Sequence, residues 1–366
     1  MFADVYKNKK VLITGHTGFK GSWLSMWLLK LGADVVGVSK DIPTKPSMFE
    51  ELQLSNKVKD YREDIRDLSK LSEIILTEKP DFLFHLAAQP IVSISYSNPV
   101  ETISSNLVGT ANILEALRVS NHKCVSIIIT SDKAYENVEQ VWGYKEDDKM
   151  GGKDIYSGSK GAAELIIKSY YHSFFKNKDS NVKLAIGRAG NVIGGGDWAE
   201  NRIVVDCMKS WSHKKGVEIR NPDATRPWQH VLEPLSGYLN LGQVLIKDIR
   251  INGEGFNFGP KSEQNQSVKK LVEDLSFYWN FNNINDAYSI TNNMPFHEAE
   301  ILKLNCDKAM FYFKWQSTMD YSETIRMTSE WYYNYFAVGE NNYKKTQDQI
   351  TEYENIAFQR RQLWTE

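Results

Sequence analysis

The chain has 366 residues, 42% hydrophobic and 25% charged, with a formal net charge of -2. That balance suits a large α/β domain with a smaller partner. It excludes a disordered chain, a globally basic nucleic-acid binder and any run of the ~20 apolar residues that a membrane span needs.

In chain order, Lys10–Thr14 (KVLIT) predicts a first strand that ends at glycines, and Ser22–Leu31 has the spacing of a buried helix closed by Gly32. Asp34–Ser39 (DVVGVS), Asp81–Leu86 (DFLFHL), Val125–Thr130 (VSIIIT) and Lys183–Gly187 (KLAIG) predict further strands, with helical patterns between them. Runs that are apolar throughout are buried on both faces, which implies a parallel sheet covered by helices on each side. That is a doubly wound α/β architecture of the Rossmann type.

Beyond about Asn191 the rhythm changes to glycine clusters, aromatic helices and polar loops. Gln229–Val244, Ser267–Trp279 and Thr318–Phe336 predict helices, and Gly255–Gly259 (GFNFG) predicts a strand. Residues 1–190 read as a dinucleotide-binding domain with 229–260 packing back on it. Residues 191–228 and 261–340 read as a smaller substrate domain. Residues 341–366 read as a polar tail with a surface helix over Gln347–Gln362. Cys124, Cys207 and Cys306 lie outside any CxxC pair, and the chain start carries no signal-peptide pattern. The expectation is a cytoplasmic protein with reduced thiols.

Thr14-Gly15-His16-Thr17-Gly18-Phe19-Lys20-Gly21 joins the first strand to the first helix. Gly15 permits a tight turn, Gly18 lets the backbone approach a pyrophosphate, and Gly21 lets the helix pack closely on the sheet. The helix N-terminus offers free N–H groups to the anion. Asp64-Ile65 follows the third strand, where the carboxylate can accept from an adenine amino group and Ile65 can pack on the ring. It reads equally well as the approach to a helix cap at Asp67. The second strand ends in Ser39-Lys40-Asp41. Asp41 stands late for a ribose carboxylate, and Lys40 suits a 2′-phosphate, so NAD and NADP both stay open on the residues alone.

Tyr156 and Lys160 are four apart on one face of a predicted helix. A lysine ammonium there is expected to stabilise phenolate and lower the tyrosine pKa, giving a base for a sugar hydroxyl. Ser131-Asp132-Lys133 follows the strand ending at Thr130, at the C-terminal edge where such sheets carry chemistry. A hydroxyl, a carboxylate and an amine would face the tyrosine.

With TGHTGFKG, HLAAQP (His85–Pro90), NLVGT (Asn106–Thr110) and YSGSK, the chain resembles the extended short-chain dehydrogenase/reductase superfamily. RAGNVIGGGDW (Arg188–Trp198), RPWQHVLEP (Arg226–Pro234) and NFGP (Asn257–Pro260) extend the likeness. GHTGFKGSWL, TSDKAYEN and VIGGGDW are similar to the CDP-glucose branch of the nucleotide-sugar 4,6-dehydratases. The resemblance implies NAD held by Gly15 to Gly21, Asp64, Ile65, Leu86, Ala87, Ala88, Gln89, Asn106, Tyr156 and Lys160. It implies catalysis by Ser131, Asp132, Lys133, Tyr156 and Lys160, with no metal. Where the family usually has Thr-Asp-Glu this chain has Ser131, Asp132 and Lys133, so the base for the C5 proton becomes a lysine, which can serve only when neutral. Asn191, Arg202, Arg226 and His297 are the implied contacts to the substrate phosphates. Helices around Thr102–Val119 and Tyr156–Ser173 would pair as a four-helix bundle in a homodimer. A sugar 4-epimerase would use the same Tyr156 and Lys160 without Asp132, and a non-catalytic nucleotide-binding regulator would need only the glycine turn.

Overall fold

A computed structural model describes residues 1–177, 179–261, 264–279, 281, 283–291 and 301–366. The main sheet has seven strands: β1 (Lys10–Thr14), β2 (Asp34–Val38), β3 (Lys59–Tyr61), β4 (Phe82–His85), β5 (Cys124–Ile129), β6 (Val182–Ala189) and β7 (Gly255–Phe258). Their spatial order is β7-β6-β5-β4-β1-β2-β3, and every pairing is parallel. The order reverses between β1 and β4, so a crevice opens at their C-terminal edges.

Alternation along each strand feeds two cores. Val11 and Ile13 join one layer with Trp23, Trp27 and Leu235, while Leu12 joins the other with Leu71, Ile113 and Ile167. The helices that supply these layers are α1 (Phe19–Lys30), α2 (Leu68–Glu78), α3 (Gly109–Ser120), α4 (Ile155–Tyr170), α5 (Ile203–Ser212) and α6 (Leu232–Leu245). Burial of this kind contributes roughly 1.5–3 kcal/mol per large apolar side chain.

The later chain forms short paired strands, Val217–Ile219 with Tyr288–Ile290 and Thr225–Pro227 with Asn265–Ser267. The helices of this later part include α7 (Val268–Phe277), α8 (Tyr321–Tyr333) and α9 (Asn342–Gln359). The helix expected from Gln229 starts at Leu232, because Gln229 and His230 pair with Val192 and Ile193.

The expected polar tail is corrected. Ile350, Tyr353 and Ala357 of α9 are buried, as is Trp364 beyond it, and all four belong to the main core cluster. Trp27 Nε1 donates to Glu354 Oε1 at 2.8 Å, and the Tyr353 hydroxyl donates to Glu233 Oε2 at 3.1 Å. Polar groups on α9 are buried because they hydrogen-bond, which hydropathy alone does not register.

Candidate active site

The crevice is a cleft of ≈ 980 Å³, bounded on one side by the glycine turn and on the other by residues from Ala189 to Arg226. At Gly15 the backbone has φ +77°, and a Cβ would lie 2.7 Å from Ala87 N. A Cβ on Gly21 would lie 2.1 Å from Gly15 O, so the turn closes only with glycine at both places. Gly18 caps α1 without a side-chain bond, which leaves the first N–H groups of the helix for an anion. These features fit a dinucleotide pyrophosphate.

His16 is the exception in that turn. Its ring is fully buried, with Nδ1 2.9 Å from Ser39 Oγ and Nε2 3.0 Å from Asp60 Oδ1, so it braces the turn from behind. Thr17 donates to Asp41 O at 2.7 Å. Leu86 to Gln89 line the cleft at the end of β4. Asn106 lies outside the lining: it accepts from Gln89 N at 2.8 Å and donates to Ser159 Oγ at 2.9 Å, tying that loop to α4.

At the far end, Asp64 lines the cleft but shares its carboxylate with Arg66, Oδ2 to Nη2 at 2.5 Å, which holds its pKa low. Ile65 is buried against Gly109. Lys40 pairs with Glu101 at 3.3 Å. Asp41, Glu63 and Glu101 line the same end. Asp41, Glu63, Asp64 and Glu101 outnumber Lys40 and Arg66 here, and that negative excess disfavours a ribose 2′-phosphate, so the site fits NAD better than NADP.

The chemistry-bearing groups meet at the middle of the cleft. Asp154 caps α4 by accepting from Ser157 N at 2.9 Å, which starts the helix one turn ahead of Lys160. Tyr156 and Lys160 are both buried and both line the cleft. After β5, Ser131 Oγ donates to Asp132 Oδ1 at 2.9 Å and accepts from Lys133 N at 3.3 Å. Asp132 Oδ2 is buried without a hydrogen-bond partner among the described residues.

One expectation reverses here. Burial raises the Tyr156 phenol to about 12, opposed by its hydrogen bond to Ser131. Burial takes Lys160 itself down to about 8, with the Lys20 charge acting the same way and Glu164 opposing. Desolvation of the charged form outweighs the expected stabilisation of phenolate.

Asn191, Arg202 and Arg226 line the opposite wall. Arg202 pairs with Asp197 at 3.0 Å, and Arg226 Nη1 donates to Thr225 O at 2.9 Å. His297 lies outside the described residues. Trp198 packs edge-on against Tyr332 and Phe336, and Trp228 Nε1 donates to Gln266 O at 3.1 Å. Sequence reasoning missed Glu164 and Arg188, a buried pair beneath Lys160. The available signal was a glutamate four residues past Lys160 on an otherwise apolar helix face.

The sequence profile of the GDP-mannose 4,6 dehydratase family matches residues 12–328. The chain belongs to this family. Within it, the chain is 45% identical over 335 residues to the CDP-glucose 4,6-dehydratase of Salmonella typhimurium, covering 90% of this chain and 92% of that protein. The CDP-paratose 2-epimerase of Salmonella typhi is 25% identical over 88% of this chain and 98% of its own. Among solved structures, the UDP-glucose 4-epimerase of Thermotoga maritima shares the fold with a TM-score of 0.77 at 21% identity, covering 89% of this chain and 99% of that one. The dTDP-glucose 4,6-dehydratase of Bacillus anthracis, solved with NAD, does so at 0.72 and 18% identity, covering 89% and 97%. No helix among the described residues is long and apolar enough to cross a membrane.

Proposed function

We propose that this chain converts CDP-glucose to CDP-4-keto-6-deoxyglucose and water, with NAD as its resident cofactor, in deoxysugar synthesis for surface polysaccharide. The reading rests on the partnerless Asp132 carboxylate oxygen beside Ser131, in the same cleft as Tyr156. A 4-epimerase needs the tyrosine but has no use for an acid at C6. The relationship to the Salmonella typhimurium enzyme supports the choice of CDP-glucose.

Bound NAD would supply the hydride chemistry, as acceptor from C4 and donor to C6. The side chains do the rest. Tyr156 removes the C4 hydroxyl proton, while Ser131 hydrogen-bonds the C4 oxygen and the tyrosine. The Lys160 ammonium, one turn beyond Tyr156 in the cleft, would hold the cofactor ribose. Once C4 is a ketone, the C5 proton is acidic, and Lys133 or a water it positions removes it. Asp132 gives its proton to the departing C6 hydroxyl. Asn191, Arg202 and Arg226 hold the substrate diphosphate, because guanidinium forks match phosphate oxygens.

Pairing of two chains through the faces of α3 and α4 completes the proposal, in the cytoplasm, where the three free thiols stay reduced. Val119 on α3, Val100 and Val108 ahead of it, Leu165 on α4 and Phe174 just beyond it are exposed apolar side chains that such a bundle would cover. Light scattering should then return twice the 42.0 kDa chain mass. The decisive experiment is incubation with CDP-, UDP-, dTDP- and GDP-glucose followed by mass spectrometry. Loss of one water with the highest kcat/KM on CDP-glucose is expected; preference for another base would overturn the assignment.

A further inference from the structure

The glycine turn closes with Phe19-Lys20-Gly21, all three assigned by resemblance to the dinucleotide, yet the flanking side chains face the opposite wall of the cleft. A Cβ on Gly194 would lie 3.3 Å from Phe19 Cζ, so that ring rests on the Gly194 backbone. Trp23 Nε1 donates to Gly195 O at 2.9 Å. Lys20 is adjacent to Phe19 and three residues before Trp23, on the side of α1 that meets the segment carrying Asn191 and Asp197.

Lys20 lines the cleft and makes no hydrogen bond or ion pair within reach of a described residue. The charges acting on its ammonium come from Arg202, Asp132, Asp197 and Lys133, and Lys160 feels Lys20 in turn. These strongest influences lie on the substrate side of the cleft rather than at the adenosine end. The neighbours balance, Arg202 and Lys133 against Asp132 and Asp197, so the ammonium of Lys20 is itself the uncompensated charge. Burial together with Arg202 pushes Lys20 down to about 8. A cation in the first turn of a helix also opposes the helix dipole. An anion arriving next to Arg202 would offset both the desolvation of this half-buried ammonium and its unfavourable place at the helix N-terminus.

We infer that Lys20 belongs to the substrate: its ammonium donates to the diphosphate of the nucleotide-sugar, beside Arg202, and so sets the sugar against Ser131, Asp132 and Lys133. A compact point charge on a flexible stem suits an anion held beside Arg202. The inference rests on the nucleotide-sugar reading given above, and it moves Lys20 from the cofactor to the substrate.

The test uses the full chain as wild type, Lys20→Met and Lys20→Arg, titrated calorimetrically with CDP, UDP and GDP, and separately with NAD. Loss of a charge-assisted hydrogen bond should weaken the preferred nucleoside diphosphate by about 10- to 100-fold in Lys20→Met. NAD affinity should stay within about 3-fold, and Lys20→Arg should recover most of the loss. In turnover, KM for the nucleotide-sugar should rise more than kcat falls. Weakened NAD binding with unchanged diphosphate binding would return Lys20 to the cofactor and overturn the inference. So would equal binding of both ligands by Lys20→Met and wild type, or parallel loss of both with a lowered melting temperature. Wild-type protein that binds none of the three diphosphates would instead overturn the nucleotide-sugar reading, and this inference with it.

Discussion

Arg188 forks onto Glu164, Nη2 to Oε2 at 2.5 Å and Nε to Oε1 at 2.7 Å, with both side chains buried. Glu164 is one turn beyond Lys160 on α4, and Arg188 is at the end of β6. Thr130, at the end of β5, donates to the same carboxylate at 2.6 Å. Arg188 Nη1 also donates to the Tyr135 hydroxyl at 2.6 Å and to Glu146 O at 3.0 Å. One buried pair thus ties the helix that carries Tyr156 to the two strand ends that carry Ser131 and Asn191.

Removing one partner leaves a buried charge alone, which costs more than the pair itself contributes. Arg188→Met should therefore lose about 3–5 kcal/mol of unfolding free energy. The double change Glu164→Met with Arg188→Met should be less damaging than the sum of the two single changes. Urea denaturation of the four proteins measures this, and strict additivity would show that the two residues do not act as a pair.

The doubly wound sheet was legible because its strands are short apolar runs, and β1, β2, β4 and β5 lie within a residue or two of their expected ends. The glycine turn was legible because Gly15 and Gly21 have no tolerable substitute in that geometry. Other features depend on partners far along the chain. Asn106 reads as a cofactor contact until Gln89 and Ser159 are seen to use up its amide. Helix α9 reads as a surface element because Gln349 and Glu354 are polar, yet Gln349 Nε2 donates to Met327 O at 2.7 Å inside the protein. The direction of the Tyr156 shift was unreadable for a similar reason: a motif gives the spacing of Lys160 but not the burial that competes with its charge.

Tyr156→Phe removes one hydroxyl from a buried ring and little volume. Its melting temperature should stay close to wild type, and NAD should still bind. Turnover should fall by roughly 100- to 10,000-fold, the usual contribution of a general base. Near wild-type turnover would mean that another group takes the C4 proton.

Lys160 is a stability cost that function retains. Its folded pKa is depressed to about 8 from the ordinary 10.5, with burial the main cause. Below about pH 8 the folded chain holds an ammonium that its surroundings disfavour, and the full cost applies. Between pH 8 and 10.5 the folded chain releases that proton while the unfolded chain keeps it, so the cost fades. Lys160→Met should then be more stable than wild type by about 2–3 kcal/mol at pH 7. The gain should shrink steadily toward pH 10.5. Denaturation at pH 7 and pH 10 measures it, and equal stability of the two proteins at both values would show that the burial is not costly.

The last prediction concerns Asp132 and separates a dehydratase from an epimerase or a simple dehydrogenase. Substrate deuterated at C4 should give product carrying that deuterium at C6, because the hydride leaves and returns within one closed site. Deuterium lost to solvent would sink the closed cycle. Asp132→Asn keeps the shape of the side chain and its contact with Ser131 but has no carboxyl proton to give. The variant should still oxidise C4, since Tyr156, Ser131 and Lys160 are intact, and then stall before the C6 hydroxyl leaves. In a single turnover the near-ultraviolet absorbance of reduced nicotinamide should rise and persist, where wild type shows only a transient. Elimination of water should slow by about 100-fold or more. If Asp132→Asn eliminates water at the wild-type rate, the proton for the C6 hydroxyl comes from elsewhere, and Lys133 becomes the next group to replace.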